Sequence, residues 1–178
     1  MTVPDFQTLM LPALRALAQA SPQTTVEVRR GLAAEFSLRE EALAELLPSG
    51  RQTTFANRVA WAYSYLKQAG LIASPKRGVY EITGRGRGVL AEQPTRIDIG
   101  FLTRFPEFQA FRKPAPESDG AVPTPLPAAA QDLTPDEQIR AGYTRLRESL
   151  GVQLLDRVKS IPPASFEQLV IDVLVGLG

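Results

Sequence analysis

The chain has 178 residues, 44% hydrophobic and 22% charged, with a net charge of +1, which suits one ordinary domain or a small domain plus an attachment. It has no Cys and no His, so disulfides, thiolate nucleophiles, Cys-ligated zinc and imidazole acid–base chemistry are excluded. The start, MTVPDFQTLM, lacks the cationic and apolar runs of a signal peptide, and no apolar stretch reaches the ~18 residues needed to cross a bilayer; a cytoplasmic protein with no membrane partner is expected.

Phe6, Leu9, Met10, Ala13 and Leu17 recur at helical spacing, predicting a core helix capped by Asp5 and kinked or restarted at Pro12. Thr24 or Thr25 is expected to cap a second helix over residues 26–36, with a short strand at Val26–Val28 as the alternative. Ser37 and Glu40 fit a capping box. That predicts a third helix to about Leu47, burying Leu38, Ala42 and Leu46.

Pro48 to Leu90 carries the charge signal. Arg51, Arg58, Lys67, Lys76, Arg77, Arg85 and Arg87 face one acid, Glu81. Such concentration of one sign on one supersecondary unit is the footprint of a nucleic-acid binder. Thr53 or Thr54 is expected to cap a helix over 55–69, whose core face is Phe55, Val59, Ala62, Leu66 and Ala69. Gly70 ends it. Residues 71–73 and 79–82 read as two strands around the tip Ser74-Pro75-Lys76-Arg77-Gly78, and Thr83 caps another helix. The order is that of a winged helix-turn-helix: mainly α with a small β-hairpin wing. Candidate DNA contacts are Arg51, Gln52, Thr53, Thr54, Asn57 and Arg58 at the helix start and Lys76 and Arg77 on the wing.

Prolines crowd the chain after Gln93. Residues 1–94 are therefore expected to be the winged-helix domain, 95–133 a Pro-rich linker, and 134–178 a helical segment. Ile97, Ile99, Phe101, Leu102, Phe105, Phe108 and Phe111 are too apolar for solvent and should pack on the first domain or a partner. Thr134-Pro135-Asp136-Glu137 is a strong helix start, with the helix running to about Lys159. Ser165 is expected to cap a last helix that buries Phe166, Leu169, Val170, Val173, Leu174 and Leu177.

NRVAWAYSYLKQAGLIASPKRGVYEIT resembles the signature of the Mrr restriction-system family's N-terminal winged-helix domain. The matching features are Asn57-Arg58, Trp61-Ala62, Leu66-Lys67, Ala69-Gly70-Leu71, the tip Ser74, Pro75, Arg77 and Gly78, and Thr83. SFEQLVIDVLVGLG resembles the first helix of the family's PD-(D/E)xK-type nuclease domain. The resemblance implies double-stranded DNA, typically methylated, as partner of a type IV restriction endonuclease, with magnesium only in the nuclease domain. The family's catalytic motifs would lie beyond Gly178. The chain is thus expected to hold no catalytic and no metal site of its own, Glu167 alone being insufficient, and to be truncated before the chemistry. The alternatives are a regulator-like winged helix forming a homo-oligomer through its C-terminal helices, and a protein-interaction module.

Overall fold

The computed structural model describes residues 2–20, 22–112 and 132–176. They form two units, residues 1–134 and 135–178.

In the first unit, α1 (Phe6–Gln19) is capped by Asp5, whose Oδ1 accepts from the Gln7 and Thr8 amides at 2.9 Å. The helix runs through Pro12 without a restart. Phe6, Leu9, Met10, Ala13, Leu14 and Leu17 are fully buried. Strand β1 (Gln23–Thr24) leads into α2 (Thr25–Glu35). Thr24 and Glu27 form a reciprocal capping box there, and the bonds from the Thr24 backbone and hydroxyl hold the Glu27 carboxyl below its ordinary range.

The third helix departs from expectation. Ser37 closes α2 instead of starting α3. It sits at φ +49°, with its amide on Ala34 O and the Leu38 amide on Ala33 O, the reversal that satisfies a helix's last carbonyls. Helix α3 spans only Glu40–Ala44 and has no side-chain cap. The chain is then extended: Leu46 bridges Thr53 and is 55% exposed, while Leu47 is buried. Neighbours on extended backbone point opposite ways, so the apolar anchor falls one residue later than a continued helix requires.

Helix α4 (Thr54–Gln68) is capped by Thr53, and Phe55, Val59, Ala62, Leu66 and Ala69 are all buried. Gly70 at φ +71° turns the chain, with the Leu71 amide bonded to Leu66 O. Strands β2 (Ile72–Lys76) and β3 (Val79–Ile82) form the wing, and β1 adds to β3 in an antiparallel sheet ordered β1-β3-β2. Helix α5 (Gly84–Ala91), capped by Thr83, follows. This is a winged helix, mainly helical with a small β wing.

The expected linker begins too early. Helices α6 (Ile99–Leu102) and α7 (Pro106–Arg112) belong to the first unit. Ile97, Leu102, Phe105 and Phe108 join the core cluster of α1, α4 and α5. Burial of apolar area outweighs the local proline content. Phe111 remains 45% exposed. The stretch 113–131 of the expected linker lies outside the described residues.

One core polar group is unmatched. The Tyr63 side chain is 1% exposed and its hydroxyl finds no hydrogen-bond partner among the described residues. Burial pushes its phenol pKa far up. Its ring lies 4.4 Å from that of Tyr80 on β3. Tyr63→Phe removes only the desolvated hydroxyl. Calorimetry should show unchanged or raised stability, by up to about 1 kcal/mol; a clear loss would reveal a partner for the hydroxyl.

The second unit is α8 (Pro135–Ser160) and α9 (Pro163–Gly176). Helix α9 starts at Pro163, the position where a missing N–H costs nothing, and the Phe166 amide bonds Pro162 O. Ser165 is therefore inside the first turn and is not the cap. The apolar residues expected to be buried in α9 are not: Phe166 is 45% exposed and Leu174 64%. Leu177 lies outside the described residues. Among the described residues, no helix is long and apolar enough to cross a membrane.

Candidate nucleic-acid interface

The approach to α4 is a tight loop. The Leu47 amide donates to Gln52 O, the Gly50 amide to Leu47 O, and the Thr54 amide to Glu45 O. Gly50, at φ +68°, allows the turn. The loop leaves Arg51 and Gln52 exposed just ahead of the cap. Thr53 Oγ1 accepts from the Ala56 amide at 3.2 Å.

The other candidates on α4 point inward. Thr54 is 6% exposed and Asn57 2%. Asn57 Oδ1 accepts from Thr134 Oγ1 at 3.0 Å. Arg58 Nη1 donates to Val3 O at 2.7 Å and Pro4 O at 3.2 Å, fastening α4 to the lead-in of α1. In this fold Thr54 and Asn57 are closed to a DNA surface, and Arg58 serves the packing of α1 on α4. A polar side chain at a helix start looks the same in sequence whether it faces solvent or another segment.

At the wing tip Lys76 and Arg77 are exposed. Gly78, at φ +76°, completes the turn. Its carbonyl accepts from the Thr25 amide at 3.0 Å and from Thr25 Oγ1 at 3.2 Å, which anchors the wing to the start of α2. The side chains of Arg51, Lys76 and Arg77 make no hydrogen bond or ion pair among the described residues; the Lys76 carbonyl accepts from Ser74 Oγ at 3.1 Å. Arg30 is also exposed, on α2, a helix whose apolar spacing by itself points only to the core; the adjacent pair Arg29-Arg30 is the signal for it. Helix α3 has the opposite charge, with Glu40 and Glu41 exposed in its first turn. Exposed cations thus stand at the approach to α4, at the wing tip and on α2, and Lys67 at the end of α4 and Arg87 on α5 add two more.

Residues 6–92 match the family model of the Mrr N-terminal domain. These residues are an Mrr N-terminal domain. The whole chain is also similar to the type IV methyl-directed restriction enzyme EcoKMrr of Escherichia coli K12, at 29% identity over 184 aligned residues. The chain spans 60% of that relative's length. No solved structure matches the chain.

In the Mrr N-terminal domain, Arg85 ties α5 to the end of α4 and to α7. Its Nη1 donates to Ala69 O at 3.0 Å, its Nη2 to Glu107 at 2.9 Å, and its guanidinium lies 5.4 Å from the Phe105 ring. The Arg85 bond keeps the Glu107 carboxyl below its usual range. Arg104 forms a two-bond pair with Glu92 at 2.6 and 2.8 Å. Both bridges cross the end of the matched residues, so the Mrr N-terminal domain is completed by α6 and α7. Arg85 stays 41% exposed, but its charge is paired with Glu107. Among the described residues no group of three or more carboxylates gathers. Glu167 stands on α9 without such neighbours, so its lone carboxylate does not fit a magnesium site.

Proposed function

We propose that this chain binds double-stranded DNA as the reading module of an Mrr-like, modification-dependent restriction system, with Arg51, Gln52, Lys76 and Arg77 as the contact groups. The observation that carries the reading is selective exposure. The core packing of a winged helix engages Arg58 and Arg85, yet leaves Arg51 beside the start of α4 and Lys76 and Arg77 at the wing tip. A helix start offers amides and a positive dipole end to phosphate. The wing cations add backbone contacts, which dominate affinity without reading sequence. Thr53 serves as the cap that orients this helix start, and its amides stand beside the phosphate path.

The same reading includes three further parts. Methylated DNA is the preferred target, supported by the methyl-directed restriction enzyme that the chain resembles. Self-association runs through α8 and α9, supported by exposed apolar side chains such as Leu146, Leu150 and Leu174. The cytoplasm, where DNA is met, is the site of action.

A salt titration of duplex binding tests the reading. Removing Lys76 and Arg77 together to Ala should weaken binding across all sequences and flatten the slope of log K against log salt by about 2, at roughly 0.9 per lost phosphate contact. Arg51→Ala should flatten it by about 1. Absence of duplex binding by the parent chain at low salt would overturn the reading.

A further inference from the structure

Residues 132–134 belong to the first unit, although 38 residues separate Asp132 from Gln93 and the matched family residues end at 92. Thr134 is fully buried, and its Oγ1 donates to Asn57 Oδ1 at 3.0 Å in the first turns of α4. Asp132 Oδ1 accepts from Gln7 Nε2 at 2.8 Å and lies 3.8 Å from Arg96 Nη2. The other end of the Gln7 amide accepts from the Ile99 backbone at 2.8 Å. Gln7 is itself 6% exposed and stands in the first turn of α1. The starts of α1 and α4 are further joined by Arg58 on the carbonyls of Val3 and Pro4.

Three polar ties therefore converge where the two central helices begin, and residues 132–134 supply two of them. Their character is unlike that of the surrounding core. Only Thr134 is buried, Leu133 is half-buried and Asp132 is exposed. The closure rests on one neutral bond, Thr134 to Asn57, and one to the exposed Asp132 carboxylate; the neutral bond shifts an equilibrium by only about five- to tenfold, which leaves the closure reversible.

We propose that Asp132–Thr134 is a latch that clamps the first turns of α1 and α4, and that the closed latch positions Arg51 and Gln52 for duplex DNA. The positioning half rests on the DNA-binding reading above. Asn57 lies four residues after the Thr53 cap, so fixing it fixes the turn from which Arg51 and Gln52 lead off. The latch leaves Arg51 and Gln52 exposed, so it acts as a buttress and does not block them.

Trp61, the chain's sole tryptophan, reports on this spot, because it lies one turn beyond Asn57 on the same side of α4. Thr134→Val keeps the side-chain size and removes the donor. In the full chain it should raise acrylamide quenching of Trp61 and weaken duplex binding about five- to tenfold, the factor one buried hydrogen bond carries. Thr134→Ser, which keeps the hydroxyl, should match the parent in both. Unchanged quenching in Thr134→Val overturns the latch, whatever the DNA result. Raised quenching with unchanged affinity, in a chain that loses affinity on Arg51→Ala, overturns the positioning half alone. If the parent binds no duplex at low salt, the DNA reading fails and takes the positioning half with it, and quenching still decides the latch.

Discussion

Phe108→Ala should destabilise the N-terminal unit by about 3–5 kcal/mol, the usual cost of emptying a buried phenylalanine site. Phe108 is on α7 and fully buried. Its ring lies 5.6 Å from Tyr65 of α4 and 6.2 Å from Phe111, and Tyr65 in turn stacks on Phe6 of α1 at 5.3 Å. Removing the ring opens a cavity beside Tyr65 of α4, whose own ring stacks on Phe6. For a domain of this size the melting midpoint should fall by roughly 10–15 °C. The result separates two pictures of residues 95–112. A linker phenylalanine would change stability by less than about 0.5 kcal/mol, as surface substitutions do. A midpoint within 2 °C of the parent, a shift well below that roughly 10 °C scale, would mean that α7 is dispensable and that the winged helix ends near the matched residues.

Gly86→Ala and Gly88→Ala should move stability in opposite directions, although they lie two residues apart on α5. By helix propensity alone, each replacement should stabilise by up to about 1 kcal/mol. At Gly88 a Cβ meets nothing within 4 Å, so that gain should be realised. At Gly86 the Cβ would stand 2.2 Å from Leu71 O and 2.8 Å from Ile82 Cγ1. The Leu71 carbonyl is pinned, because it accepts the Thr83 amide at 3.0 Å. The Gly86 amide is itself tied to Thr83 Oγ1 at 3.0 Å. Relief therefore requires α5 to lift off the junction between α4 and β2, loosening the Arg85 bond to Ala69 O as well. A cost of about 3 kcal/mol is expected, at the upper end of overpacking. Chemical denaturation of the two variants side by side measures the sign. Stabilisation by both would show that α5 does not press on Leu71.

Much of the fold was legible because local rules and burial agree. The face Phe55, Val59, Ala62, Leu66 and Ala69 of α4 became core in full. Asp5, Thr53 and Thr83 cap the helices that follow them, and Gly70 and Gly78 take the left-handed conformations that their turns require. In each case the pattern needs only neighbours within about five residues, so no knowledge of the rest of the chain is required. The exposure of Arg51, Gln52, Lys76 and Arg77 follows from the same local geometry of loop and hairpin.

Other features needed the whole fold. Ser37 and Glu40 fit the capping-box spacing as well as Thr24 and Glu27 do, but Ser37 closes the end of α2 instead. Asn57 and Arg58 have the polarity of a DNA-facing helix start, yet Thr134 and the carbonyls of Val3 and Pro4 cover them. Arg85 counts as a surface cation until Glu107 and Ala69 engage it. Phe108 is apolar enough to be expected on the first domain or on a partner, and the fold decides for the first domain's core. Periodicity in the sequence determined which face of each helix is apolar, and with it the winged-helix order and the wing. Only the tertiary structure decided which polar residues are covered, because that depends on partners 16 to 77 positions away, and no periodic signal along the chain records where a distant segment comes to rest.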